Sequence, residues 1–146
     1  MPAKYKLVLR KDMRKDAAEG SKLYYASANT TGTCDVYELC DLISAQSTAS
    51  SGDVKLILDE LVNVMRRNLG KGEVVKVGEL GSFQLQFGST GTVTEKEFNQ
   101  VLIKSRRIVF RPGKLLKKAV KNYTFEKIAS GAPDEGGGED DRPGEL

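Results

Sequence analysis

Apolar positions change period several times along this chain, and each change marks an element. Residues 4–10 alternate Lys4, Lys6 and Arg10 with Tyr5, Leu7 and Leu9, the period of two expected of a half-exposed strand. The polar stretch 11–21 reads as a loop. Lys22-Leu-Tyr-Tyr-Ala-Ser-Ala28 is a second β-prone run, closed by Asn29-Thr-Thr-Gly32; the two runs can pair with each other or add to a larger sheet. The period then lengthens. Asp35 as N-cap with Glu38 three residues on resembles a capping box, and Val36, Leu39, Cys40 and Ile43 fall on one helical face. After a small-residue turn at 46–52, Val54, Ile57, Leu58, Leu61, Val62, Met65 and Leu69 predict a helix from about Asp53 to Leu69, stopped by Gly70 and Gly72.

Alternation returns at Val75 and Val77. It bends at Gly78-Glu-Leu-Gly81 and resumes at Phe83, Leu85 and Phe87, which predicts a hairpin. Residues 88–107 are a polar excursion with one apolar group, Val101-Leu-Ile103, and a basic end at Lys104, Arg106 and Arg107. The most informative stretch follows: Ile108-Val-Phe-Arg-Pro-Gly-Lys-Leu-Leu-Lys-Lys-Ala-Val120, a β-like run, a Pro-Gly turn and a short helix. Lys114 reaches Lys117 and Lys118 at i,i+3 and i,i+4, so with Arg111 they form a cationic ridge beside the apolar anchors Leu115, Leu116, Ala119 and Val120. Such a ridge, next to a turn expected to offer free backbone N–H groups, suits a polyanion backbone better than a small substrate. Residues 122–128 read as a last strand. The Gly-, Asp- and Glu-rich remainder has too little apolar surface to fold alone and is expected to be a flexible tail.

Composition sharpens this picture. At 146 residues and 39% hydrophobic, the chain supports one modest core and one main domain. It has no apolar run of membrane-spanning length, and Met1-Pro-Ala-Lys-Tyr-Lys6 begins a charged strand rather than a signal segment, so a cytoplasmic protein with no membrane partner is expected. Cys34 and Cys40 have neither CxxC nor zinc spacing, and the chain has no His, so no metal and no cofactor are expected. The missing His also removes the usual general base. Gly70-Lys-Gly72 lacks phosphate-loop spacing, so no catalytic constellation can be assembled; the expectation is not an enzyme, with no small-molecule substrate. The net charge of +3 conceals an asymmetry: residues 131–146 hold six acids and one base, which leaves 22 bases and 14 acids in the body. A basic body is what a nucleic-acid partner requires, although solubility alone can also produce one.

The order helix, helix, hairpin, excursion, Phe110-Arg-Pro-Gly-Lys114, short helix resembles that of the bacterial histone-like HU and integration host factor family. The likeness runs from Tyr37-Glu-Leu through the small-residue turn and Gly52-Asp53, then through Leu69-Gly-Lys-Gly72, Val75-Lys-Val77 and Gly78-Glu-Leu-Gly-Ser-Phe83. It covers roughly residues 34–121, and the flanking strands and tail look like a longer HU-like subgroup with extra terminal segments. The resemblance implies an α+β fold: an intertwined homodimer with a helical base, a β-sheet saddle and β arms, here shortened. Residues 1–32 would be an N-terminal β extension, 33–128 the HU-like DNA-binding domain with a C-terminal strand, and 129–146 the flexible Gly-rich acidic tail. The long apolar face of 54–69 is more than residues 36–45 can cover, so a second chain is a natural way to bury it.

Carried onto this sequence, the resemblance implies that Arg111 and Lys114 contact phosphate. Lys117 matches a basic position on the following helix, and the Gly81 and Ser82 amides match a bend near DNA. Lys76 would add charge to the saddle, and Lys104, Arg106 and Arg107 lie at the base of the arm. Lys118 has no matching base in the family pattern but shares the ridge. Pro112 and Gly113 make the turn whatever it binds. The arm departs from the family, whose arms carry a proline wedge at the tip. The prolines here are Pro2, Pro112, Pro133 and Pro143, and the middle of the excursion holds Glu95 and Glu97; Phe98 is expected to fold back rather than act as a wedge. The reading is an architectural, histone-like and nucleoid-associated protein that binds double-stranded DNA through phosphates with little sequence specificity. The alternative is an HU-fold scaffold or protein-interaction module that no longer bends or binds DNA and uses the open edges of strands 4–10 and 22–28.

Overall fold

The computed structural model describes residues 1–129, so apart from Ala129 the expected tail lies outside the described residues. The chain divides into two compact units, residues 1–34 with 120–129 and residues 35–119.

In the terminal unit, β1 (Ala3–Lys11) pairs antiparallel with β2 (Lys22–Asn29), with Tyr5 opposite Ala28 and Leu9 opposite Tyr24. The two β-prone runs thus pair with each other. The turn between them is closed by Asp12, a buried carboxylate that accepts from the Arg14 backbone amide and guanidinium; these bonds, the guanidinium's first, hold it below the usual carboxylate range. The late strand, Phe125–Lys127, runs parallel to β1 on its other side, with Ala3 opposite Phe125 and Tyr5 opposite Lys127. The expectation placed this strand at the end of the 33–128 segment; its hydrogen bonds place it in the sheet of the N-terminal strands.

The second unit begins with two helices. In α1 (Val36–Ala45) the Asp35 carboxylate accepts the Glu38 amide at 2.9 Å. In α2 (Ser51–Gly70) Ser50 and Asp53 make a reciprocal capping box at 3.1 Å each way, so the helix starts two residues before the expected Asp53. Its other end closes past Gly70: Gly72 takes a φ of +84° and the Glu73 amide reaches back to the Asn68 carbonyl, the left-handed turn that glycine adopts without a Cβ penalty. Among the described residues the buried hydrophobic side chains are Cys40, Val54 and Leu69. The two margins of the predicted apolar stripe stay open, with Ile57 62% and Val62 65% exposed.

An antiparallel sheet follows in the order β3 (Val75–Lys76), β4 (Gly81–Ser89), β5 (Ile103–Pro112). Its rungs pair Phe83 with Phe110, the rings 5.0 Å apart, and Leu85 with Ile108. The register shifts between Gln86 and Gly88, and Ser105 across from it has a φ of +55°. Pairing ends at Ser89 and Ile103, and one-turn 3-10 helices occupy Glu95–Glu97 and Gln100–Leu102. The polar excursion is therefore shorter than expected at its far end: Lys104, Arg106 and Arg107 belong to β5. After Gly113 comes α3 (Lys114–Val120), the short helix that the sequence predicts.

Candidate nucleic-acid interface

The register of the second sheet sorts its charged residues. Lys76 pairs with Ser82 and Ser82 with Arg111, so one rung across three strands carries a cation at each end and a hydroxyl between. Residues opposite one another share a face, and alternate residues along a strand return to it. The face with Lys76, Ser82 and Arg111 therefore also carries Gln84, Gln86 and Arg107, with one apolar residue, Val109, opposite Gln84. The other presents Phe83, Leu85, Ile108 and Phe110. Gln86 accepts from the Arg107 guanidinium at 3.5 Å. The polar face thus combines exposed cations with neutral groups that donate and accept hydrogen bonds, and its strand positions include no carboxylate.

The predicted basic residues do not all meet there. Arg107 and Arg111 lie on one face of β5, whereas alternation puts Arg106 on the other. Lys104 sits beyond the irregularity at Ser105. Lys114, Lys117 and Lys118 are exposed on α3, which begins two residues after Pro112. Among the described residues the ion pairs are Lys4–Glu126, Arg14–Asp12 and Lys55–Asp59, so no described carboxylate neutralises Lys76, Lys104, Arg106, Arg107, Arg111 or the lysines of α3.

Two glycines set this corner. Gly81 is buried, has a φ of +139°, and lies so close to β5 that a Cβ would strike the Arg111 carbonyl and come within 2.8 Å of the Phe110 ring. Gly113 lies equally close to the Glu79 backbone, where a Cβ would come within 2.7 Å of its carbonyl carbon. Between them the Arg111-Pro112-Gly113 corner is held against the 78–81 bend. Two expectations change as a result. The Gly113 amide is not free, because it donates to the Leu80 carbonyl at 3.0 Å. Gly81 is too buried to offer an amide at the surface; its contribution is the close approach itself. The apolar anchors of α3 also differ from expectation, with Leu115 61% exposed and Val120 open as well.

Sequence reasoning missed Gln84 and Gln86, although their alternation with Phe83, Leu85 and Phe87 was visible. It also missed an apolar groove of about 350 Å³, lined by Val62, Met65, Leu69, Leu85 and Ile108, with Arg66 at its edge. Among the described residues no cluster of His, Cys, Asp and Glu could hold a metal ion, and no helix is long and apolar enough to cross a membrane.

Residues 1–127 match the family model of HU domains fused to a winged helix-turn-helix, an Ig domain or a glycine-rich motif, known as HU-HIG. The chain belongs to the HU-HIG family. Among individual relatives it is 35% identical over 86 residues to the DNA-binding protein HU of Thermotoga maritima, an alignment spanning 58% of this chain and 96% of that one. It is 33% identical over 92 residues to integration host factor subunit alpha of Vibrio cholerae, covering 62% of this chain and 94% of the relative. A solved structure of a protein from Bacteroides vulgatus superposes with a TM-score of 0.60 at 20% identity, which speaks to fold alone. The superposition covers 86% of this HU-HIG chain and 48% of that chain, so this chain spans about half the length of that structure. The HU and integration host factor relatives agree with the resemblance read from the Gly78–Phe83 and Phe110–Lys114 motifs.

Proposed function

We propose that this HU-HIG protein is an architectural, nucleoid-associated protein of the cytoplasm that binds double-stranded DNA as a homodimer. The observation that carries the reading is the Lys76–Ser82–Arg111 rung, continued by Arg107 and followed directly by Lys114. It places cations on one sheet face with no ion-pair partner among the described residues and no carboxylate at the strand positions of that sheet. Cations so placed release the counterions condensed on a duplex when they replace them at the phosphates, and that release supplies most of a non-specific affinity. The flat, polar face contacts the backbone rather than base edges, so recognition rests on shape and charge. The site comprises Lys76, Ser82, Arg107, Arg111, Pro112, Lys114 and Lys117, with Lys118 beside it and Lys104 and Arg106 at the arm. Gly81 and Gly113 position it.

The open groove along α2, β4 and β5 and the exposed Ile57 and Val62 support the dimer, since one chain leaves apolar area uncovered that a second copy buries. The short pairing of β4 with β5 and the carboxylates of Glu95 and Glu97 favour holding the duplex without kinking it. The test is a titration of labelled duplex DNA at two ionic strengths, with several unrelated sequences. Affinity should fall steeply with salt and vary little with sequence, and Arg111→Glu/Lys114→Glu should weaken binding by more than tenfold. Salt-independent binding, or full affinity in the charge-reversed variant, would refute the reading.

A further inference from the structure

The terminal unit has a face that the duplex reading leaves unused. Strand alternation and the register of β1, β2 and β6 (Phe125–Lys127) place Tyr5, Leu7, Leu9, Tyr24 and Phe125 together on one side of the sheet. That side is open to solvent: Tyr24 is 71% exposed, Phe125 69% and Leu9 50%. The same side carries Lys11 opposite Lys22, and Lys127 beside Tyr5. None of its strand positions is acidic; Glu126, the one carboxylate in these strands, faces the other way and pairs with Lys4.

We infer that this sheet face is a binding platform for single-stranded nucleic acid. An aromatic ring stands at each end, Tyr24 at one and Phe125 with Tyr5 at the other; along the strands Tyr24 lies about 13 Å from Tyr5 and about 20 Å from Phe125. Each ring has a lysine beside it on the same face. Exposed rings with adjacent cations are the chemistry that holds unpaired bases, which stack on the aromatics while their phosphates meet the ammonium groups. Duplex DNA cannot use the rings, because its bases are already stacked. A second copy of the sheet is disfavoured as occupant, since face-to-face packing would bring three lysines of one copy against three of the other. Binding here would give one chain a paired-strand surface and an unpaired-strand surface, suited to DNA or RNA that is locally open.

The experiment uses the full chain and an end-labelled oligothymidylate of about 16 nucleotides, beside a duplex of equal length. Tyr24→Ala/Phe125→Ala should weaken the single-strand affinity about tenfold or more and leave duplex affinity unchanged. Tyr24→Phe/Phe125→Tyr, which keeps both rings, should bind like the parent and shows that stacking is what the alanines removed. Lys11→Gln/Lys22→Gln, an exposed pair whose replacement leaves the sheet intact, should flatten the salt dependence of single-strand binding only. The inference falls if oligothymidylate affinity ignores all of these changes. It also falls if Arg111→Glu/Lys114→Glu abolishes both activities together, or if removing the rings changes the sedimentation coefficient, which would make the face a self-association surface. Failure of the parent chain to bind duplex, with its oligothymidylate binding intact, would overturn the proposed function and leave this inference standing.

Discussion

Gly81 of β4 touches the backbone of Arg111 in β5 with no room for a side chain between them. The cation proposed to meet phosphate thus owes its position to a residue with no side chain on the neighbouring strand. Gly81→Ala adds a Cβ that meets a backbone carbonyl and an aromatic ring, at a φ that L-residues avoid, a strain of ~1–3 kcal/mol. A lower thermal midpoint should appear by calorimetry, together with weaker duplex binding. Gly32→Ala, where nothing lies within 4 Å of the added Cβ, should change neither.

Strand alternation separates two adjacent arginines. Arg107 shares the face of Arg111 and Lys76, and Arg106 does not. Arg107→Ala should weaken duplex binding several-fold and reduce the slope of log affinity against log salt by about one for each phosphate that the arginine neutralises, whereas Arg106→Ala should have the smaller effect on both. Equal effects would mean that the arginines act only through net charge.

Ile57 and Val62 lie open in a single chain, so replacing either with a polar residue removes little packing within that chain. Val62→Glu should nevertheless convert a sedimenting dimer into monomer and lower the melting temperature in a concentration-dependent way. An unchanged sedimentation profile would place the dimer contact elsewhere.

The α2 cap makes a prediction about pH. Hydrogen bonds from the Ser50 hydroxyl and amide hold the Asp53 carboxyl below its usual 3.8. A carboxyl with a depressed folded-state pKa stabilises at pH values above its unfolded pKa, and the contribution disappears as pH falls through the folded value. Asp53→Asn should therefore lower the unfolding midpoint at neutral pH, and the gap to the parent should close in acid, below about pH 4. Ser50→Ala, which removes the other half of the box, should cost ~1 kcal/mol and keep much of that cost in acid.

The acidic segment 131–146 holds six acids and one base, opposite in sign to the proposed duplex face. If it competes with phosphate there, deleting it should tighten duplex binding at low salt and have no effect at high salt, where screening removes the competition. Identical titrations at both salt concentrations would show that it plays no such role.

Much of the second unit was legible because its information is local. The 3.6-residue stripe from Val54 to Leu69 and the alternation of Phe83, Leu85 and Phe87 each announce their element. The Pro112-Gly113 turn before Lys114 likewise marks where β5 gives way to α3. The arrangement of the cations was not legible, because that depends on register. A shift of two residues between β4 and β5 would keep the apolar positions on one face and still separate Ser82 from Arg111, so hydrophobic period alone does not select that register. The pairing of β6 with β1 was also hidden, since no local pattern joins strands separated by more than a hundred residues. The α3 anchors were misplaced for a related reason: Leu115 reads as core by composition, and burial depends on what packs against it.

That long-range pairing has a consequence for biosynthesis. The strands that begin the chain find their third partner only when Phe125–Lys127 has left the ribosome, so the segment carrying the proposed duplex surface is complete before the sheet around the termini can close. A nascent chain arrested just after Val120 would hold a finished middle and a β1–β2 pair whose β1 edge lacks its third strand. Cleavage on the C-terminal side of α3 would leave β6 held to β1 by non-covalent pairing alone.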